Sequence, residues 1–85
     1  MTISYTKNFI KQSKKLDSKQ RAKLISRIEL YSDKPVSPLL RDHALKGKYK
    51  NYRSIDISGD MRALYLLSKN EAIFDIVGTH SQLYG

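Results

Sequence analysis

Tyr52-Arg53-Ser54-Ile55-Asp56-Ile57-Ser58-Gly59-Asp60-Met61-Arg62-Ala63-Leu64-Tyr65-Leu66-Leu67-Ser68-Lys69-Asn70-Glu71-Ala72-Ile73-Phe74-Asp75-Ile76-Val77 is the stretch that decides the fold. Tyr52 to Ser58 alternates: Arg53, Ile55 and Ile57 share one phase, and Tyr52, Ser54 and Asp56 the other. Period two with one apolar phase is the mark of a strand with one buried face. Ser58-Gly59-Asp60 reads as a tight turn, Met61 to Ser68 as a second strand, Ser68-Lys69-Asn70-Glu71 as a second turn, and Ala72 to Val77 as a third strand. Turns this short make an antiparallel meander.

Upstream the period changes. Thr2 to Thr6 reads as a short strand. Lys7 to Leu16 carries Phe9, Ile10 and Leu16 among lysines, a thin amphipathic stripe. Asp17 or Ser18 supplies an acceptor for the first turn of a second helix running to about Tyr31. Ala22, Leu24, Ile25, Ile28 and Tyr31 fall on helical spacing and predict its core face. The short break between the helices predicts an antiparallel helical hairpin. Pro35 and Pro38 end the helical part, because proline donates to neither ladder. Residues 33–50 then form a long loop. The expected class is α+β, in the order β-α-α-β-β-β, with an antiparallel sheet packed against the hairpin and its other face free. The expected core is Phe9, Leu24, Ile25, Ile28, Leu64, Ile73 and Val77.

The 85 residues are expected to form a single domain, 1–85. Cysteine is absent, which excludes a disulfide framework and a thiolate metal site. Met1 to Ile10 holds no apolar run, and no stretch approaches the length of a membrane span, so a soluble cytoplasmic protein is expected. Charge is uneven. Residues 1–53 hold 14 of the 16 Lys and Arg against 4 of the 8 Asp and Glu, a net +10, while residues 54–85 carry −2. A surplus that local points to a polyanionic partner, nucleic acid or an acidic protein.

The two histidines of the chain, His43 and His80, lie in polar segments of the second half. With Asp56, Asp60, Arg62 and Tyr84 they supply what metal-free RNA cleavage needs. An imidazole, whose ordinary pKa is near neutrality, moves protons. An arginine fork binds phosphoryl oxygens, and an aromatic ring stacks on a base. Two histidines about forty residues apart, with no carboxylate cluster, do not make a metal site, and no glycine-rich phosphate loop is present, so neither metal nor cofactor is expected. On residues alone, simpler readings stand beside these. His43 also reads as a plain loop histidine, Asp60 as a turn former, and Lys46, Lys48, Lys50 and Arg53 as a solvated face that doubles as an RNA-phosphate surface.

Four segments carry a resemblance: Leu40-Arg41-Asp42-His43-Ala44-Leu45-Lys46-Gly47, Tyr52-Arg53, Gly59-Asp60-Met61-Arg62-Ala63-Leu64-Tyr65, and Gly78-Thr79-His80-Ser81-Gln82-Leu83-Tyr84. Their order and spacing resemble the RelE superfamily of bacterial toxins from type II toxin–antitoxin systems, YafQ-like branch. The resemblance implies a ribosome-dependent mRNA endoribonuclease acting in the A site and inhibited by a cognate acidic antitoxin, which alone connects it to operator DNA. It implies catalytic roles for His43, His80, Asp60 and Tyr84, and a phosphate-binding role for Arg62. The chain departs from the pattern at Asp56, where the branch often has a further histidine, at Met61 in place of tryptophan, and at Tyr84 in place of phenylalanine. Either Asp56 takes over a proton-handling role or the active site is smaller here; by charge it is a poor phosphate neighbour, suited to orient His80, Arg62 or a lysine. Two other readings share the architecture: a ParE-type toxin that binds DNA gyrase without cleaving RNA, and a degenerate protein that only binds its antitoxin. A gyrase binder has no need of the His43, Asp60, Arg62 and His80 set, whereas Asp56 in place of a histidine gives the degenerate reading mild support.

Overall fold

The computed structural model describes residues 1–84. The chain runs β1 (Thr2–Tyr5), α1 (Lys7–Lys14), α2 (Ser18–Asp33), β2 (His43–Ala44), β3 (Arg53–Ser58), β4 (Met61–Ser68), β5 (Glu71–Thr79) and α3 (His80–Tyr84), with 3-10 turns at Pro38–Leu40 and Gly47–Tyr49. The five strands form one sheet in the order β1-β5-β4-β3-β2. The meander β3-β4-β5 and both hairpin helices stand where the periodicity predicts them.

Both helices begin on side-chain caps. The Thr6 hydroxyl accepts from the Phe9 amide at 3.1 Å. Asp17 and Gln20 form a reciprocal capping box at the start of α2. Phe9, Leu24, Ile28 and Tyr31 pack on Ile55, Ile57, Met61, Ala63, Tyr65, Ala72 and Phe74, so the hairpin covers one sheet face. Two expected core residues lie elsewhere. Ile25 is 53% exposed, because Leu24, Ile28 and Tyr31 already define the buried stripe and the next residue turns about 100° away from it. Ile73 falls between Ala72 and Phe74, in the opposite phase, and is only half-buried.

Three features depart from the expected meander. First, β1 pairs with β5 in parallel, because a helical hairpin carries the chain back before the next strand. Second, the loop 33–50 contains β2, antiparallel to β3 with His43 opposite Ser54. A two-residue strand is too short to show any period. Third, Gly78-Thr79-His80-Ser81-Gln82 ends the strand and opens α3. The Thr79 hydroxyl accepts from the Gln82 amide at 3.1 Å, and the Gln82 side chain accepts from the Thr79 amide at 2.8 Å. A Cβ on Gly78 would stand 3.0 Å from Gln82 Oε1, so glycine permits this close return.

β5 also carries a bulge. Leu64 pairs with Ile76 and Tyr65 with Phe74, leaving Asp75 as the extra residue. The phase switch lets Phe74 and Val77 both reach the core. Beyond the end of β1 the β5 edge lacks a strand partner, and α1 satisfies it with side chains. Asn8 Nδ2 donates to the Asp75 carbonyl at 3.0 Å, and Gln12 Oε1 accepts from the Val77 amide at 2.9 Å. Gln12→Ala is therefore expected to lower unfolding stability by about 1–2 kcal/mol, the cost of an orphaned half-buried amide. Gln12→Glu, which keeps the acceptor, should stay close to the parent. The shift in urea midpoint measures both.

Candidate active site

The sheet face turned away from the hairpin holds a pocket of about 320 Å³ lined by Arg41, His43, Leu45, Lys46, Ser54, Asp56, Arg62, His80 and Tyr84. The backbone explains how each arrives there. β2 and β3 pair His43 with Ser54, and β3 and β4 pair Asp56 with Arg62. On β3, Ser54 and Asp56 occupy the phase opposite the buried Ile55 and Ile57. α3 brings in His80 and Tyr84, one helical turn apart, with ring centroids at 4.8 Å.

Charges inside the pocket are organised around Asp56. Its Oδ1 lies 3.0 Å from Arg62 Nε, and its Oδ2 lies 3.5 Å from Arg41 Nε. Arg62 Nη1 donates to the Gly59 and Met61 carbonyls at 2.9 and 3.1 Å. Its Nη1 is thus engaged with two carbonyls and its Nε is ion-paired with Asp56, which holds the guanidinium, while Nη2 has no hydrogen-bond partner among the described residues. Asp56 is thus the ion-pair partner of both arginines.

The His43 ring is fixed by its backbone surroundings. Its Nδ1 lies 2.8 Å from the Arg41 carbonyl. A carbonyl only accepts, so Nδ1 carries the hydrogen and Nε2 is left as the free ring nitrogen. His80 is held by its main chain, whose amide donates to the Asp60 carbonyl at 2.7 Å, while its ring is exposed. Tyr84 is 44% exposed, and the burial of the rest of its ring raises its phenol pKa, so it is a neutral hydroxyl in the physiological range. Ser54 lies on the pocket floor, 1% exposed, and its hydroxyl has no hydrogen-bond partner among the described residues.

α3 is held in place by a chain of aromatic rings. Tyr49 OH donates to the Leu83 carbonyl at 3.2 Å, and its ring meets Tyr84 and Tyr52 edge-on at 5.7 and 5.9 Å. Tyr52 OH in turn donates to the bulge carboxylate of Asp75 at 2.6 Å, a bond that raises its pKa to about 12. The bulge, the loop and the terminal helix are thereby coupled.

Six of the ten residues singled out in the sequence line the pocket: His43, Asp56, Arg62, His80, Tyr84 and Lys46. The other four do not. Asp60 sits in the β3–β4 turn and touches the site through its main-chain carbonyl. Lys48 is exposed and rests over the Tyr49 ring, and Lys50 is exposed. Arg53 shares the phase of Ile55 and Ile57, and its Nε donates to Asp42 Oδ1 at 3.0 Å, on the hairpin side of the sheet. Asp42 also accepts from the Tyr65 hydroxyl, and burial together with that bond raises the tyrosine pKa. Arg53 thus serves the half-buried Asp42 network that ties the loop to the sheet. Arg41 and Ser54 belong to the site but carry no sequence signal of their own. Arg41 is one cation among many in a loop, and Ser54 is an ordinary polar step in an alternating strand.

A larger groove of about 530 Å³ lies between α1 and α3. It contains no histidine, arginine or carboxylate, and Lys15 is its one charged lining residue. Acid–base chemistry on a phosphate therefore fits the smaller pocket. Among the described residues no group of three or more His, Asp or Glu is placed to hold a metal ion, and no helix is long and apolar enough to cross a membrane.

Known proteins match this architecture along the whole chain. The mRNA interferase toxin YafQ of Escherichia coli K12 is 26% identical over 81 residues, which cover 95% of this chain and 88% of that protein. The crystal structure of YafQ from E. coli BL21(DE3) superposes with a TM-score of 0.81 at 26% identity, covering 98% of this chain and 97% of that one. In the E. coli DinJ–YafQ toxin–antitoxin complex the match has a TM-score of 0.78 at 28% identity, covering 98% and 96%. The sheet and the helices thus belong to a known fold. The family described as bacterial toxin of type II toxin–antitoxin system, YafQ, matches residues 1–85, and the chain belongs to that family.

Proposed function

We propose that this protein cleaves mRNA on the ribosome, in the A site, without a metal, and that this arrests translation. The observation that carries the reading is the convergence of two imidazoles and two guanidiniums on one open pocket. The mRNA interferase name of the E. coli relative supports it. His43 Nε2 takes the proton of the 2′-OH, since its Nδ1 is committed to the Arg41 carbonyl. The 2′-oxygen attacks the adjacent phosphorus, and the bond from phosphorus to the 5′-oxygen breaks. Arg62 Nη2 meets the charge that grows on the phosphoryl oxygens. His80, protonated, gives its proton to the departing 5′-oxygen. The products are a 2′,3′-cyclic phosphate and a 5′-hydroxyl. Tyr84 stacks on a base at the pocket mouth, Asp60 positions His80 through its carbonyl, and Lys46 with the outer Lys48 and Lys50 attracts backbone phosphates.

The partner in the cell is an acidic antitoxin that covers the basic surface of the first 53 residues. That +10 surplus and the antitoxin-bound state of the E. coli relative support it. Operator DNA is reached only through that antitoxin, and the site of action is the cytoplasm.

Primer extension on mRNA from a reconstituted translation reaction tests the reading. Added protein is expected to produce new 3′ ends bearing cyclic phosphate, and only while ribosomes translate. Intact mRNA, with growth arrest still seen in cells, would overturn the reading in favour of a gyrase-directed toxin.

A further inference from the structure

Arg41 is an arginine where the fold calls for none. It caps the Pro38–Leu40 turn with φ 45° and ψ 44°, a left-handed backbone that disfavours any residue with a Cβ. Its side chain is 75% exposed, so packing does not account for it. Its ion pair with Asp56 is long and solvated, a kind that adds little to stability. The backbone contribution of the residue, the carbonyl that fixes His43, requires no side chain at all. What remains unexplained is a loosely held guanidinium on the rim of the pocket.

Its relation to Arg62 supplies an explanation. One carboxylate serves both guanidiniums, but unequally. Arg62 is only 18% exposed, 3.0 Å from Asp56, and tied to two carbonyls, whereas Arg41 has the single 3.5 Å contact. The pocket thus holds one fixed arginine and one free to move. Cleavage by 2′-OH attack takes the phosphate from one negative charge to two in the pentacoordinate transition state. A single fixed guanidinium matches the first charge, and a second matches the increment.

We propose that Arg41 is a mobile phosphate-binding residue, which leaves Asp56 when RNA enters and closes on the scissile phosphate opposite Arg62. This rests on the ribonuclease reading above and adds to it a substrate-contacting residue and a movement. Asp56 then acts as a parking site that keeps the arm out of the empty pocket.

Arg41→Gly is the discriminating variant. Glycine accepts the left-handed backbone and leaves the carbonyl that orients His43, so only the guanidinium is lost. Single-turnover cleavage on ribosomes with a defined A-site codon is expected to fall about 10- to 100-fold, the usual worth of a charge-assisted hydrogen bond. The loss should appear in the maximal rate rather than in the half-saturating ribosome concentration. Arg41→Lys should recover only part of it, because it restores the charge without the fork. The thermal midpoint of Arg41→Gly should equal or exceed that of the parent. A parent-like cleavage rate in Arg41→Gly would overturn the proposal, as would a loss confined to ribosome affinity or a fall in thermal midpoint. A parent protein that leaves mRNA intact would instead remove the ribonuclease reading, and this proposal with it.

Discussion

His80→Ala is expected to slow ribosome-dependent cleavage by about 10²–10⁴-fold, the range for loss of a general acid or base. The reason lies in how little else the ring does. Its side chain is exposed, and among the described residues it makes no hydrogen bond. α3 begins at residue 80 because of the Thr79–Gln82 capping box and the main-chain bond to the Asp60 carbonyl, and alanine keeps both. Apart from the proposed proton transfer, the ring's contact among the described residues is its packing on Tyr84, with centroids 4.8 Å apart. Folding and antitoxin binding should therefore be unchanged, and the rate effect should be chemical. Primer extension gives the rate, and growth in cells without antitoxin gives the consequence. Full growth inhibition by His80→Ala, expressed at the parent level, would refute the assignment of proton transfer to this residue.

The second large effect is expected at Arg62. Arg62→Ala removes the donor proposed to meet the phosphate and should cost about 10²–10³-fold in rate, as removal of one transition-state oxyanion donor does. It also leaves Asp56 with only the weak Arg41 contact, so part of the effect would come from a disordered site. Arg62→Lys separates the two causes. A lysine keeps a cation beside Asp56 but cannot hold Asp56, the Gly59 and Met61 carbonyls and a phosphate at once in a planar fork. Its cleavage should stay near the alanine level while its thermal midpoint stays near the parent. Combined with His80→Ala, the effects should fall short of their product, because both residues serve one transition state. Multiplicative effects would mean that Arg62 acts in a separate step, such as ribosome docking.

Much of the fold can be read from local pattern. Alternation through Ile55 and Ile57 fixes which face of β3 is buried, and so sends Ser54 and Asp56 to the open face. The Leu24, Ile28 and Tyr31 spacing does the same for α2. Glycine in the β3–β4 turn, prolines after α2 and the lack of cysteine bound the class. The resemblance in the Asp42-His43 and Thr79-His80 segments brings two histidines into one hypothesis although 36 residues separate them. These features are legible because each depends on residues a few positions apart, whose spacing is set by the geometry of a helix or a strand.

The tertiary structure decided the rest. Period two places a residue on a face but names no neighbouring strand, so the parallel pairing of β1 with β5 depends on where the hairpin packs. Ile25 is compatible with helical spacing, and only the packed structure shows that the buried stripe runs through Leu24, Ile28 and Tyr31 and leaves it exposed. Arg53 begins a strand in the phase of Ile55 and Ile57 and Arg41 lies in the loop, but neither position names a partner. Arg53 turns inward because Asp42 and Tyr65 complete its partners, while Arg41 stays on the pocket rim beside Asp56. Asp60 serves the site through a carbonyl, which no side-chain identity reports. In each case the outcome rests on a hydrogen bond, an ion pair or a packing contact between segments distant in the chain. Sequence determined what each segment offers, and the packed fold determined which offers meet, because such contacts exist only once the segments are brought together.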